Sequence, residues 1–233
     1  MKGNYIEYDY KKSVERIDQI IEESENSFEE LDSIPTRDKL TFTNGFYVNC
    51  SCLFVDIRES SNLTEKHNRP KLAKLYRSYI SEVVAILNGN PWCVEVNIIG
   101  DGISGIFDAK NNVVIDWVFA DGARIGTLID TLNKKFEKKG IEKISVGIGV
   151  SYGRALMIKA GYSGSSINEV VWIGDVVNEA FKLGNLKNSP GNNHEIRVSE
   201  EFYNKLNAHN KSLLKKDYPT GCYWGTVIVK VDL

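Results

Sequence analysis

The order of periodic segments constrains this chain most. VNCSCLFVDI, ending on Asp56-Ile57, reads as a strand. PKLAKLYRSYISEVVAILN follows it with helical spacing, placing Leu72, Leu75, Tyr76, Tyr79, Ile80, Val83, Val84 and Leu87 on one face. CVEVNIIGDGISGIF then alternates as a hairpin, with Asp101-Gly102 as the signal for its tight turn. A second helix, over roughly 112–138, turns Val114, Val118, Ile125, Leu128, Leu132 and Phe136 inward. KISVGIGVSYG returns as a strand with RALMIKAGY pairing to it, and GDVVNEAFKLGNLKN is helical after Gly174. A last strand, short helices and the run GCYWGTVIVKV complete the chain. The order β-α-β-β-α-β predicts an α+β sandwich of the split-βαβ, ferredoxin-like kind.

Ahead of this block lies an arm. Residues 8–31 carry Val14, Ile17, Ile20 and Ile21 among many acids, which fits a helix with a narrow apolar stripe for docking on the domain or on a partner. SIPTRDKLTFTNG, with Pro35 and Gly45, reads as the connection into the core. The expected organisation is therefore a helical arm over 1–44 and one domain over 45–233. No internal repeat or low-complexity segment interrupts it.

Composition excludes several classes. A chain of 233 residues with 42% hydrophobic and 26% charged residues is an ordinary globular protein. Its net charge of -2 gives no footprint for general binding to nucleic acid or to a membrane surface, although a few local cations suffice for a phosphate-bearing substrate. No stretch has the apolar length of a membrane span, and MKGNYIEYDYKK lacks the apolar core of a signal peptide, so a cytosolic protein is expected. Cys50, Cys52, Cys93 and Cys222 form no CxxC pair and meet no histidine cluster, which argues against a disulfide framework or a zinc site.

Two acids end two apolar runs. Alone, Asp56 and Asp101 are each ordinary strand-end or turn residues. Together they matter, because the expected topology makes the first strand and the hairpin's first strand neighbours and lets the carboxylates converge. With a backbone carbonyl such as that of Ile57, they form an all-oxygen site suited to Mg²⁺ or Mn²⁺. A pair of such ions is the template for nucleotidyl transfer. Arg58 and the Ser60-Ser61 pair lie where the chain turns into the next helix, and backbone N–H groups there can cradle a triphosphate; the serines alone read more simply as a plain turn or helix start.

The blocks FVDIRESS, NIIGDGISGIF, VGIGVSYGRAL and WIGDVVNEAFKLGN, in that order over about residues 47–200, resemble the catalytic domain of class III nucleotide cyclases. DIRxSS and GDVVNEAxKL are closest to the bacterial pyrimidine cyclases of Pycsar antiphage defence. The resemblance makes Asp56 and Asp101 the metal-binding aspartates, for two Mg²⁺ or Mn²⁺ ions per site. It makes Asn178 the residue that steadies the ribose, and it places Lys182 where ordinary cyclases carry a transition-state arginine. Residues four apart share a helix face, so Asn178 and Lys182 can point into one cleft; without the neighbouring blocks they read as solvated surface residues. Lysine supplies a point charge without the bidentate fork, so Arg58 is a candidate second partner for the phosphates.

At the base, the family's purine-reading lysine and acid correspond to Asn97 and Val171, which argues against ATP and GTP. Phe54 corresponds to a pocket-wall position, and by itself reads more simply as a core residue. Asn97 both donates and accepts, so it does not choose between uracil and cytosine. The resemblance implies conversion of UTP or CTP to a 3′,5′-cyclic pyrimidine monophosphate and pyrophosphate, with uridylate favoured, in a homodimer with composite sites. It also implies a second-messenger role in antiphage defence, acting on a separate effector protein. The competing readings are a catalytically inactive cyclase-like regulatory module, which the retention of both acids opposes, and an adenylate or guanylate cyclase. A diguanylate cyclase is opposed by the lack of a GGDEF-like run.

Overall fold

A computed structural model describes residues 3, 5–24, 27–66, 68–163, 165, 167–186 and 194–229. Its elements in chain order are α1 (Tyr10–Ile21), β1 (Phe28–Leu31), β2 (Gly45–Ile57), α2 (Ser61–Lys66), α3 (Arg69–Asn88), β3 (Cys93–Ile99), β4 (Gly102–Phe107) and α4 (Asn112–Glu137). There follow β5 (Val146–Gly161), β6 (Asn168–Ile173), α5 (Asp175–Gly184), β7 (His194–Val198), α6 (Glu200–Lys205), α7 (Ala208–Ser212), β8 (Lys215–Lys216) and β9 (Tyr223–Gly225). They form two compact units, one from residues 1–49 and 154–174 and the other from 50–153 and 175–233.

In the first unit, Asp9 caps α1 by accepting from the backbone N–H groups of Lys11 and Lys12 at 2.9 and 3.3 Å. Val14, Ile17, Ile20 and Ile21 form the expected stripe, and all four are exposed. The helix ends at Ile21 instead of running toward 31. Phe28–Leu31 is a strand that pairs in parallel with Gly45–Val48, which satisfies its backbone groups in a ladder. Leu40, Phe46, Val48 and Met157 make a small core with Leu31, Ile34, Val170 and Trp172. RALMIKAGY does not fold back on KISVGIGVSYG. Gly153 is not in the left-handed region, so the chain continues as the single strand β5 to Gly161, whose φ of +135° opens the first turn, and β6 is its partner.

In the second unit the strands follow the order β3-β4-β2-β5-β7-β9-β8. The first four are the ferredoxin-like arrangement expected from the segment order. Asn68 caps α3 and Asn111 caps α4 through their side-chain oxygens. Leu75, Tyr79, Val83 and Leu87 of α3 are fully buried in a core shared with Val118 and Ile125 of α4 and Leu53, Val55, Phe107 and Ile148 of the strands. Each such side chain stabilises the fold by about 1.5–3 kcal/mol. Cys52 is in the interior, and burial raises its thiol.

The glycines of VGIGV have a positional role. A Cβ at Gly147 would collide with the carbonyl of Gly184, and one at Gly149 with that of Ala180, so bare backbone lets α5 lie directly on β5. Ser151 Oγ donates to the Val176 carbonyl and fixes the start of that helix. The helix stops at Gly184; Lys187 and Asn188, which the sequence reading included in it, lie outside the described residues. In the final run only Tyr223–Gly225 is strand, and residues 230 and 231 lie outside the description.

Candidate active site

Asp56 is the penultimate residue of β2 and Asp101 sits in the β3–β4 turn. They meet for a different reason from the one the sequence suggested. The neighbour of β2 is β4, the second strand of the hairpin, with Val55 opposite Ile103. Continuing that register puts Asp56 opposite Gly102, one residue from Asp101. The turn is also shifted by one residue: Ile99 faces Gly102, so its central pair is Gly100-Asp101, with Gly100 at φ +66°.

The two carboxylates are electrostatically strained. Asp56 is pushed up to about 6, first by burial, then by the charge of Asp101 and a hydrogen bond shared with it. Asp101 Oδ2 is buried without a hydrogen-bond partner among the described residues. Tyr79 closes the site from α3; burial and then the charges of Asp56 and Asp101 raise its phenol well above the ordinary range. Tyr76, raised by burial and by Asp101, hydrogen-bonds with Ser60. Crowded carboxylates with an unpaired buried oxygen match the demand of a hard divalent cation. Among the described residues no group of three or more His, Cys, Asp or Glu gathers.

Beside the pair opens a cleft of about 350 Å³ lined by Asp56, Ile57, Arg58, Glu59, Ser60, Ser61, Gly184 and Asn185. The Ile57 side chain belongs to the core, leaving its backbone for the cleft. Glu59 adopts φ +53°, alone among the described non-glycine residues, and turns the chain toward α2. Arg58 Nη1 donates to the Leu186 carbonyl at 2.8 Å, so this arginine is already anchored at the end of α5.

The structure thus brings together Asp56, Ile57, Arg58, Ser60, Ser61 and Asp101. Asn178 and Lys182 are exposed on α5 and are not among the residues that line the cleft. Asn97, on β3, donates from Nδ2 to Glu95 Oε1 at 3.0 Å. Val171, on β6 in the other unit, is 37% exposed. Phe54 is buried and stacks on Phe181, with ring centroids 4.0 Å apart.

Sequence reasoning missed Glu95, Phe181, Glu195 and Arg197. Glu95 and Asn97 are two apart in a strand and share a face, which was legible. Glu195 and Arg197, in the buried strand HEIRV, carry the same period-two signal, alternating with His194, Ile196 and Val198. Phe181 shows no pattern until α5 is placed on the sheet.

Fold and paired acids together define a class III nucleotide cyclase domain. Residues 43–221 match the family model for the adenylate and guanylate cyclase catalytic domain, and the chain belongs to that family of nucleotide cyclases. It is 40% identical over 232 residues to a uridylate cyclase of Gulbenkiania mobilis, covering 94% of this chain and 89% of that one. It is also 40% identical over 209 residues to a uridylate cyclase of Treponema porcinum, covering 90% and 72%. Among solved structures, the guanylyl cyclase Cya2 superposes with a TM-score of 0.65 at 16% identity, over 80% of this chain and 95% of that one. The adenylyl cyclase CyaB from P. aeruginosa gives 0.63 at 20% identity, over 82% and 99%. These two likenesses show the fold. No helix among the described residues is long and apolar enough to cross a membrane.

Proposed function

We propose that this chain is a pyrimidine nucleotide cyclase that converts UTP, in preference to CTP, to the 3′,5′-cyclic monophosphate and pyrophosphate. The observation that carries the reading is the Asp56–Asp101 pair, with its unpaired buried oxygen, beside a cleft of about 350 Å³. Similarity to uridylate cyclases supports the pyrimidine. The 3′ oxygen bonds to the α-phosphorus and loses its proton, and the bond from that phosphorus to the pyrophosphate oxygen breaks. Two Mg²⁺ or Mn²⁺ ions, when bound, activate the attacking oxygen and neutralise the leaving group.

Asp56, the Ile57 carbonyl and Asp101 hold the cations. Ser60, Ser61 and the loop N–H groups hold the triphosphate, with the charge of Arg58 beside it. Asn178 orients the ribose and Lys182 supplies positive charge where negative charge develops, both from a second copy of the chain across a two-fold axis. At the base-reading positions, Asn97 and Val171 lack the purine partners, and Phe54 fills the space a smaller base leaves. Residues 45–233 are the catalytic domain and 1–44 an arm. The enzyme acts in the cytoplasm, where the cyclic nucleotide signals to a separate effector in antiphage defence.

The test is incubation of the purified protein with each of the four NTPs and Mn²⁺, with chromatographic separation of products. Cyclic UMP is the expected main product. A profile dominated by cyclic AMP, or cyclisation of none of the four, overturns the proposal.

A further inference from the structure

Arg58 links two parts of the second unit. Its backbone N–H donates to the Ser145 carbonyl at 2.9 Å, while its guanidinium reaches the Leu186 carbonyl just past α5. A Cβ at Gly147 would come within 3.0 Å of Arg58 Nη2, so the guanidinium lies over that bare position of β5. The Cα partner of Gly147 on β7 is Glu195, and facing residues of paired strands present their side chains on the same side of the sheet.

Glu195 is 1% exposed, and neither carboxylate oxygen has a hydrogen-bond partner among the described residues. Its Oε1 lies 2.6 Å from Arg197 Nε as an ion pair that lacks the angle of a hydrogen bond. Arg197, 2% exposed, pairs through Nη1 with Asp217 Oδ2 at 3.1 Å. Burial disfavours the charged guanidinium of Arg58, the charge of Glu195 favours it, and that of Arg197 opposes it. Arg58, Arg197, Glu195 and Asp217 together balance two positive against two negative charges. Displacing Arg58 leaves the buried part with an excess negative charge in a poorly solvated place. The link from Glu195 to Arg58 is thus one of charge across Gly147, with no hydrogen bond joining the two.

We propose that Glu195, supported by Arg197, is a positioning residue that holds Arg58 and so ties the Asp56–Ser61 loop to the C-terminal end of α5, the helix that carries Asn178 and Lys182. The inference rests on the cyclase reading for its catalytic consequence only. The clasp keeps two functional segments in fixed register: the loop beside the paired acids and the helix that faces the partner copy. Glu195 touches no substrate; it acts through Arg58.

The experiment compares wild type, Glu195→Gln, Arg58→Ala and the double variant, after dimer mass and melting are checked. With UTP and Mn²⁺, each single change is expected to lower kcat at least about tenfold with KM within about threefold, and the double variant to match Arg58→Ala within about twofold. Independent, multiplying losses, or a wild-type kcat in Glu195→Gln, overturn the proposal. Should Glu195→Gln fail to fold, Arg58→Lys carries the test: it keeps the charge and loses the fork, so the same fall in kcat is expected and an unchanged kcat contradicts the clasp. Amide exchange of residues 58–63 reads the clasp without catalysis. It is expected to be at least about fivefold faster in the folded Glu195 or Arg58 variant than in wild type, and unchanged exchange overturns the proposal even if no NTP is cyclised.

Discussion

The carboxylate pocket around Asp56 and Asp101 and the outer face of α5, with Asn178 and Lys182, are in opposite physical states. Around Asp56 and Asp101 the surroundings are crowded: burial pushes one acid up, the other keeps an unpaired oxygen, and tyrosines of α3 wall them in. On α5, Asn178 and Lys182 stand in solvent while the opposite face, with Val176 and Ala180, is buried. Strain that no described residue relieves suits the proposed cation site. Polar groups left exposed on a firmly seated helix suit delivery to another molecule. On the proposed reading, a single chain holds one prepared half of a site and presents the other half outward.

The largest expected effect breaks the prepared half. Asp56→Asn or Asp101→Asn removes a cation ligand where few exist, so turnover should fall at least about a thousandfold while circular dichroism and the elution volume stay those of wild type. A variant that cyclises at the wild-type rate refutes the role of the pair. Next in size is base choice. UTP should exceed ATP and GTP in kcat/KM by at least about tenfold, because one missing buried hydrogen-bond partner is worth roughly 1.4 kcal/mol. Competition assays with mixed NTPs check this.

The strain itself has a pH signature in metal-free protein. Asp56 rises from an ordinary 3.8 to about 6 in the folded state, so the folded chain keeps a proton that the unfolded chain releases. This contribution to stability is present below about pH 4 and is lost as pH rises through about 6. Melting in EDTA should show the decline in wild type and a flatter profile in Asp56→Asn; parallel profiles contradict the assignment. The smallest effect concerns Glu59, whose left-handed backbone costs a residue with a Cβ about 1 kcal/mol, so Glu59→Gly should be neutral to slightly stabilising. A marked loss of stability shows that its side chain holds the loop.

Much of this was legible in the sequence, for identifiable reasons. Long helices with a clear period, α3 and α4, stand where their apolar residues placed them. Asp56 and Asp101 were found because acids at the ends of apolar runs are conspicuous. The route by which they meet was not, since strand adjacency depends on how the crossover closes, and it is β4 that lies beside β2. β5 was divided in two because Gly153 looks like a turn in sequence, while its backbone stays extended. α1 was drawn too long because acids and scattered apolar residues do not mark where a helix yields to a strand that finds a partner far along the chain. The Glu195–Arg197 pair escaped notice because its meaning depends on Gly147 lying beside it and α5 above.

The central claim, that each active site joins the Asp56–Asp101 pocket of one copy to the α5 face of another, is tested by mixing two defective proteins. Asp56→Asn and Lys182→Ala, each nearly inactive alone, are combined under conditions in which differently tagged copies are shown to exchange. Random pairing of equal amounts makes half the dimers mixed, each with one intact site of two, so about a quarter of wild-type activity should return. Confirmed exchange with activity no higher than that of the separate proteins contradicts the account and confines Lys182 to its own chain or to no part in the chemistry.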